Sequence, residues 1–326
     1  MTHPYDSLTP DCVVDCLESI GLVSDLRLLA LNSYENRVYQ VGIEGGDPVI
    51  LKFYRAERWT DAQILEEHAF AQELVDHEIS VVAPESIGGE TLHHVLGQRF
   101  SVFKRRGGYP PELDNLDHLY RLGQTLGRIH RVGGAASFLH RRALSPSRMA
   151  TESRLFVKTD FVPLELQSAY STLAQDCDQA ATEILSAMTT DDLQRVHGDC
   201  HVGNILWRDD TPHFVDLDDC ISGPVVQDIW MFLNGDRNQR EQQLVEFIEG
   251  YEEFNDFDVR QLSWIEALRT LRIMHHAAWL ARRWSDPAFP KAFPWFSNQR
   301  FWADHILELR EQISAMQESP LQLQRS

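Results

Sequence analysis

The sequence predicts an α+β protein, with a β-rich first part built on an antiparallel sheet and a mainly helical second part. Three observations carry that expectation. Short apolar runs separated by turn residues fill the stretch up to residue 103, as strands of a meander do. The segment Arg105-Arg106-Gly107-Gly108-Tyr109-Pro110-Pro111 gathers charge, Gly and Pro in one place and reads as a hinge. Beyond it, apolar residues return at helical spacing over long stretches. Two domains are therefore expected, residues 1–103 and residues 104–326.

The elements follow in order. Thr9-Pro10-Asp11 opens a first helix, with Thr9 as its cap and Pro10 in the first turn, where a missing N–H leaves nothing unpaired. Val13, Leu17 and Ile20 share the inner face of that helix, and Gly21 ends it. Leu28-Leu29-Ala30-Leu31, Arg37-Val38-Tyr39-Gln40-Val41 and Val49-Ile50-Leu51-Lys52-Phe53-Tyr54 read as three strands, punctuated by Asn32-Ser33 and Glu44-Gly45-Gly46-Asp47-Pro48. A helix over 61–77 turns Ile64, His68, Ala71, Leu74 and Val75 inward. Strands near 91–96 and 99–103 complete the first part. The second part holds helices over 116–130, 164–188 (one or two), 237–256, 262–284 and 298–317, with a strand-rich interruption at 195–219. The tail 319–326 is expected to fray.

Lys and Arg number 30 and Asp and Glu 49, a formal charge of −19 with His neutral. Nucleic acid and an anionic membrane surface both repel such a chain, so neither is expected as a partner, although a local basic pocket is compatible with the total. Apolar types make up 43 %, which excludes the disordered class. No run of about 18 apolar residues occurs, so no transmembrane helix is expected. Residues 1–6 have neither a basic start nor an apolar core, so they do not read as a secretory signal. Cys12, Cys16, Cys177, Cys200 and Cys220 are odd in number and form no C-x-x-C pair, as suits reduced thiols in the cytoplasm. A cytoplasmic monomer is the expectation.

The chemistry concentrates between His197 and Asp219. His197, Asp199 and Asn204 are spaced H-x-D-x4-N, and Asp216 follows Asn204 by twelve positions, with the apolar runs Ile205-Leu206-Trp207 and Phe214-Val215 between them. That reads as a loop followed by a hairpin. Any one of these residues alone would pass for a turn former. Together they suit phosphoryl transfer, which needs a divalent metal on the phosphate oxygens and a carboxylate to orient the attacking hydroxyl. Mg²⁺ takes hard oxygen ligands, and Asn204 and Asp216 can supply them. Asp199 is left to accept the hydroxyl proton. The spacing matches the catalytic loop and metal-binding Asp of protein kinases, with His-Gly-Asp in place of His-Arg-Asp.

The first part should then hold the nucleotide. Lys52 ends the run Val49-Ile50-Leu51-Lys52, and a Lys in an apolar strand needs a reason, which phosphate oxygens and a carboxylate would give; a Lys that faces solvent or snorkels is the other reading. Glu67 shares a helical face with Ile64, Ala71 and Leu74 and is the better partner, whereas Glu66 groups with Gln63 and Glu73 on a face that reads as solvated. Neither G-x-G-x-x-G nor G-x-x-x-x-G-K-[ST] occurs, so the phosphate-covering turn must be Asn32-Ser33-Tyr34-Glu35-Asn36-Arg37. Asp228 reads as a helix cap that can also brace the catalytic loop. Arg141, Arg142, Arg148, Arg154 and Lys158 read as a solvated basic face that could dock an acidic substrate. The aromatic and Pro-rich stretch 284–296 reads as a packed surface loop, with a wall for the acceptor as the sharper alternative.

Asn32-Ser33-Tyr34-Glu35-Asn36-Arg37-Val38-Tyr39, Lys52-Phe53-Tyr54-Arg55, the run from His197 to Arg208, Phe214-Val215-Asp216-Leu217-Asp218-Asp219 and Trp284-Ser285-Asp286-Pro287-Ala288-Phe289-Pro290-Lys291 resemble the bacterial stress response kinase A family over nearly the whole chain. That family belongs to the aminoglycoside phosphotransferase and choline kinase superfamily. The resemblance implies a bilobal protein-kinase-like fold, with residues 1–103 as nucleotide-binding lobe and 104–326 as helical catalytic lobe. It implies an ATP- and Mg²⁺-dependent Ser/Thr protein kinase of the bacterial stress response, acting on a protein hydroxyl, its own included. By motif, Asp199 and Asp216 are catalytic, Asn204 and Asp216 hold Mg²⁺, Ser33 sits at the ATP phosphates, and Lys52 with Glu67 completes the nucleotide site. Every motif position is filled, which argues for turnover. The loop lacks the Arg that anchors activation-loop phosphates, and no long segment follows Asp216, so no switching by activation-loop phosphorylation is expected. The alternative is a small-molecule alcohol kinase of the same fold, of choline, homoserine or aminoglycoside type, whose cationic acceptor the anionic chain would steer. A nucleotide-binding module without turnover is the third reading.

Overall fold

Alternating apolar and polar residues between Ser24 and Lys104 build a five-stranded antiparallel sheet in the computed structural model, which describes residues 5 and 7–323. The reading of the first six residues, Tyr5 apart, and of the last three positions of the tail lies outside the described residues. The strands are β1 (Ser24–Leu31), β2 (Arg37–Ile43), β3 (Val49–Phe53), β4 (His93–Val95) and β5 (Gln98–Lys104), in the order β1-β2-β3-β5-β4. Period-two alternation sends Leu51 and Phe53, with Val41, Phe100 and Val102, to one face. There they pack against Val13, Cys16 and Leu17 of helix α1 (Pro10–Ser19). Each such side chain contributes roughly 1.5–3 kcal/mol on burial. Thr9 caps α1 by accepting from the Cys12 N–H at 3.2 Å, as the sequence predicts. Lys52, paired in register with Val38 and Ser101, points to the other face.

That second face meets α2 (Asp61–Asp76), which starts in a capping box between Thr60 and Gln63. Ile64, Glu67, His68, Phe70, Ala71 and Leu74 are its buried residues. Val75, expected inward, is exposed, one residue before the end of α2, while Leu74 and Ile79 on either side of that end are buried. After the hinge come α3 (Leu116–Gly133), β6 (Gln194–Val196), the hairpin β7 (Ile205–Arg208) and β8 (Thr211–Phe214), and β9 (Ile221–Gly223), which pairs with β6. The hairpin turns on Asp209 and Asp210, both with positive φ, the geometry a two-residue turn needs to match strand twist.

The remaining helices are α4 (Glu152–Asp160), α5 (Gln167–Leu185), α6 (Val226–Ile229), α7 (Arg237–Glu252), α8 (Ile265–Arg282), α9 (Ala288–Ala292) and α10 (Gln299–Gln317). Two compact units result. The first comprises residues 1–142, 195–222 and 246–256, and the second 143–194, 223–245 and 257–326. Within the first, α3 and the end of α7 touch backbone to backbone. A Cβ on Gly123 would lie 2.0 Å from the Phe247 carbonyl oxygen, and one on Gly250 2.1 Å from that of Tyr120.

Several expectations change in detail. The π-helical turn 147–151 and α4 have no clear signal in the sequence, because Ser and Pro punctuate that stretch and its apolar residues are few. The basic group there is not one solvated face: Arg141 is buried, and Arg154 pairs with Asp178 at 2.8 Å. Asp228 is fully buried inside α6, and Val225 holds the cap position. The tail does not fray through Gln322, since Arg237 donates to the Ser319 and Pro320 carbonyls at 2.8 and 2.7 Å and the Gln322 N–H donates to Glu241 Oε1 at 3.0 Å. Stretch 284–296 is packed, with Phe289 and Phe296 almost fully buried and Trp284 5.0 Å from Phe296 between ring centres. Among the described residues all five Cys are free thiols, and no helix is long and apolar enough to cross a membrane.

Candidate active site

Strand β6 delivers His197-Gly198-Asp199 to the edge of the hairpin, and backbone chemistry fixes the loop there. Gly198 has φ +83°, and a Cβ on it would lie 2.1 Å from the Asp219 carbonyl oxygen, so this position admits only Gly. His197 is buried, and its Nε2 donates to the Val215 carbonyl at 3.0 Å, tying the loop to the residue before Asp216. The Asn204 Nδ2 donates to the Asp199 carbonyl at 2.9 Å, and the Asn204 carbonyl accepts from the Val215 N–H at 3.0 Å. With Nδ2 so committed, Oδ1 is the Asn204 atom available to a cation. The Asp199 carboxylate is partly exposed, with Oδ2 3.5 Å from His201 Nε2. Asp216 sits in the left-handed region (φ 60°, ψ 63°), which Asp tolerates better than most residues, and its side chain is half exposed.

Lys52 is buried and meets three carboxylates: its Nζ lies 2.8 Å from Asp216 Oδ1, 3.2 Å from Asp218 Oδ1 and 3.9 Å from Glu67 Oε1. Burial alone would depress its pKa. Asp216, Asp218 and Glu67 together outweigh burial and hold it well above the ordinary lysine value, so Lys52 is a fixed cation. Glu67 is pushed up to about 7, by burial first, with Lys52 and Arg141 pulling the other way. The Arg141 Nη2 donates to Glu67 Oε2 at 2.8 Å.

Of the two candidate glutamates, Glu67 is the one beside Lys52. Glu66 is not solvated as its helical face suggested. It accepts three backbone N–H bonds, from Leu139, His140 and Arg141 at 2.5, 2.9 and 2.6 Å. Its pKa is lowered: burial raises it, and these bonds outweigh burial. Glu73, also read as solvated, pairs with Arg195 at 2.6 Å. Both are covered by segments distant in sequence.

The turn between β1 and β2 is held from below. Ser33 Oγ donates to the Asn36 carbonyl at 3.2 Å. Asn36 is buried; its Oδ1 accepts from the Arg55 N–H at 3.2 Å and its Nδ2 donates to Asp218 Oδ2 at 3.1 Å. Arg55 donates to the Glu35 and Tyr34 carbonyls at 2.9 and 3.2 Å. Arg58 donates to Asp218 Oδ2 and, at 2.6 Å, to Asp219 Oδ1. Asp218, Arg58 and Arg141 are the residues that sequence reasoning missed. Their traces in the sequence are the excess of acid in Asp216-Leu217-Asp218-Asp219, which needs cations nearby, and the basic group that contains Arg141, which reads there as solvated.

Behind Lys52 lies a neutral buried network. His68 Nε2 is 2.8 Å from Tyr54 Oη, and Nδ1 is 2.9 Å from Thr91 Oγ1. Burial, then Lys52 and Arg141, lower the His68 pKa to about 3 from 6.5. The folded state therefore binds fewer protons, so this contribution to stability is full above pH 6.5 and declines as pH falls towards 3. Glu67, raised to about 7 in the folded state, acts the other way over the same range, so the comparison is between two proteins: from pH 7 to pH 5 the unfolding midpoint of the wild type in urea should fall relative to that of His68→Gln. A constant difference between the two would remove His68 as a source.

Asn204 Oδ1 and the Asp216 carboxylate are hard oxygen donors that fit a magnesium ion sharing its shell with nucleotide phosphates and water. Among the described residues, no group of three or more His, Cys, Asp and Glu side chains is arranged to hold a metal by itself. A fixed cation, a helix-borne carboxylate and a loop carrying Asp and Asn thus stand together in one unit.

Such a site on such a fold defines a phosphotransferase of the kinase-like class. Residues 27–265 match the model of the phosphotransferase enzyme family, APH. The chain is 44 % identical to stress response kinase A of Escherichia coli K12 over 325 residues, 98 % of this chain and 97 % of that one. It is 42 % identical to the serine/threonine protein kinase RdoA of Salmonella typhimurium LT2 over 320 residues, again 98 % and 97 %. The chain belongs to the APH phosphotransferase family, in its stress response kinase A/RdoA branch, and is a kinase. Solved structures share the fold. An amicoumacin kinase in complex with AMP-PNP, Ca²⁺ and Ami has a TM-score of 0.74 at 21 % identity, covering 95 % of this chain and 94 % of that one. A microcompartment-associated aminopropanol kinase has a TM-score of 0.74 at 16 % identity, covering 97 % and 100 %.

Proposed function

We propose that this protein transfers the γ-phosphoryl group of ATP to a Ser or Thr hydroxyl of a protein substrate, as a cytoplasmic, monomeric stress-response kinase. The observation that carries the reading is the meeting of Lys52 Nζ with Asp216 Oδ1 at 2.8 Å and Glu67 Oε1 at 3.9 Å. Residues 1–103 act as nucleotide-binding lobe and 104–326 as catalytic lobe, and the first compact unit draws on both. Lys52, kept in place by Glu67, and the turn bearing Ser33 hold the phosphates. Asn204 and Asp216 would hold Mg²⁺, which when bound would supply positive charge against the negative phosphates. Asp199 accepts the proton of the acceptor hydroxyl, whose oxygen bonds to the γ-phosphorus as the bond to the β–γ bridging oxygen breaks and ADP leaves. The names of the 44 % and 42 % identical relatives support a Ser/Thr acceptor and a stress role.

The test is γ-labelled ATP supplied with a panel of proteins, this chain included, and of small alcohols of choline, homoserine and aminoglycoside type. Label on protein Ser or Thr is the expected result. Label confined to a small alcohol would overturn the protein-kinase reading and keep only the phosphotransfer.

A further inference from the structure

We propose that Arg141 is a positioning residue for phosphoryl transfer, setting the spacing between Glu67 and the segment that carries Asp216; this rests on the phosphotransfer reading above. The Arg141 side chain is wholly buried. Its Nη2 donates to Glu67 Oε2 at 2.8 Å and its Nε to the Gln63 carbonyl at 2.8 Å, so two of its bonds go to α2. Its Nη1 donates to the Asp218 carbonyl at 2.6 Å. One planar guanidinium therefore bridges the helix and the residues just after Asp216. The guanidinium carbon lies 4.3 Å from the centre of the Trp59 ring, which holds the plane. The Arg141 backbone N–H is itself fixed, donating to Glu66 at 2.6 Å.

The consequence falls on Lys52. Its carboxylate partners come from two places, Glu67 on α2 and Asp216 with Asp218 beyond β8, and its Nζ sits between them. No local chain connection sets that gap, and Arg141 reaches Glu67 from 74 positions away in the sequence. A rigid fork of N–H groups fixes both sides at once. A lysine at position 141 carries the charge on a flexible stem and cannot span both.

Arg141→Lys tests this, read by AMP-PNP affinity with Mg²⁺ and by steady-state kinetics. The dissociation constant and the KM for ATP should each rise about tenfold, with the acceptor KM within about twofold and thermal unfolding still cooperative. Glu67→Gln added to Arg141→Lys should weaken nucleotide binding no further than the weaker single variant, because one acts through the other. A folded Arg141→Lys protein with wild-type nucleotide affinity would overturn the proposal, as would single effects that simply multiply. Should Arg141→Lys not fold, Trp59→Leu removes the ring beneath the guanidinium and leaves every polar partner. It should raise the same constants about threefold, and no change would count against Arg141. Wild-type protein that binds no nucleotide would defeat the phosphotransfer reading itself. Wild-type binding matched by equal binding in Arg141→Lys would defeat only the role of Arg141.

Discussion

Asp199→Ala is expected to lower kcat by about 10²–10⁴ while ATP still binds. The loop should survive the change, because backbone groups hold it: the Asp199 carbonyl accepts from Asn204 Nδ2 at 2.9 Å and from the His201 N–H at 3.1 Å. Gly198 and His197 add contacts to Asp219 and Val215 that the Asp199 side chain does not share. The substitution thus removes a proton acceptor and its approach to His201 Nε2 at 3.5 Å, while the backbone ties of the loop remain. Asp199→Asn keeps the shape and removes only the basicity, so it should lose about as much. Single-turnover transfer, set beside nucleotide affinity, separates the chemical step from binding. Near-wild-type kcat in either variant would take Asp199 out of its role.

Asp216→Ala is expected to abolish the dependence of nucleotide binding on Mg²⁺. The carboxylate is the charged half of the Asn204–Asp216 donor pair and the nearest carboxylate to Lys52 Nζ, at 2.8 Å. Without it Asn204 alone offers one neutral oxygen, too little to hold a divalent ion against water. Lys52 keeps Asp218 at 3.2 Å and Glu67 at 3.9 Å, so no buried charge is stranded. Alanine at φ 60° adds a strain of about 1–2 kcal/mol, which the tolerant Asp216→Asn avoids. Calorimetric titrations of AMP-PNP with and without Mg²⁺ should coincide for both variants and differ for the wild type. A retained Mg²⁺ effect would place the metal elsewhere.

How much of this was legible in the sequence depended on range. Lys52 is readable because a Lys in an apolar strand calls for anions, but its burial comes from Glu67 of α2 and from Asp216 and Asp218, which meet it on the face opposite Leu51 and Phe53. Helical spacing alone favours Glu67 over Glu66 beside Lys52, and the structure places Glu67 Oε1 3.9 Å from Lys52 Nζ. The spacing of His197, Asp199, Asn204 and Asp216 is local, so a loop and a hairpin suffice to gather them. The long-range ties were opaque. Asn36 meets Asp218 across 182 positions and Arg141 meets Glu67 across 74, and no periodicity encodes such pairings. The same blindness put Glu66 on a solvated face, since the strip 139–141 that covers it comes from beyond α3. Composition groups Arg141 with the neighbouring basic residues, although its burial and its bonds to Glu67 and to the Asp218 carbonyl set it apart.

A crystal structure of the protein with AMP-PNP and Mg²⁺ tests the central claim most directly. The expected result is a metal about 2.1 Å from Asn204 Oδ1 and from an Asp216 oxygen, Lys52 on the phosphates, and the terminal phosphate facing Asp199. A nucleotide seated away from Lys52, or a metal that touches neither Asn204 nor Asp216, would contradict the account.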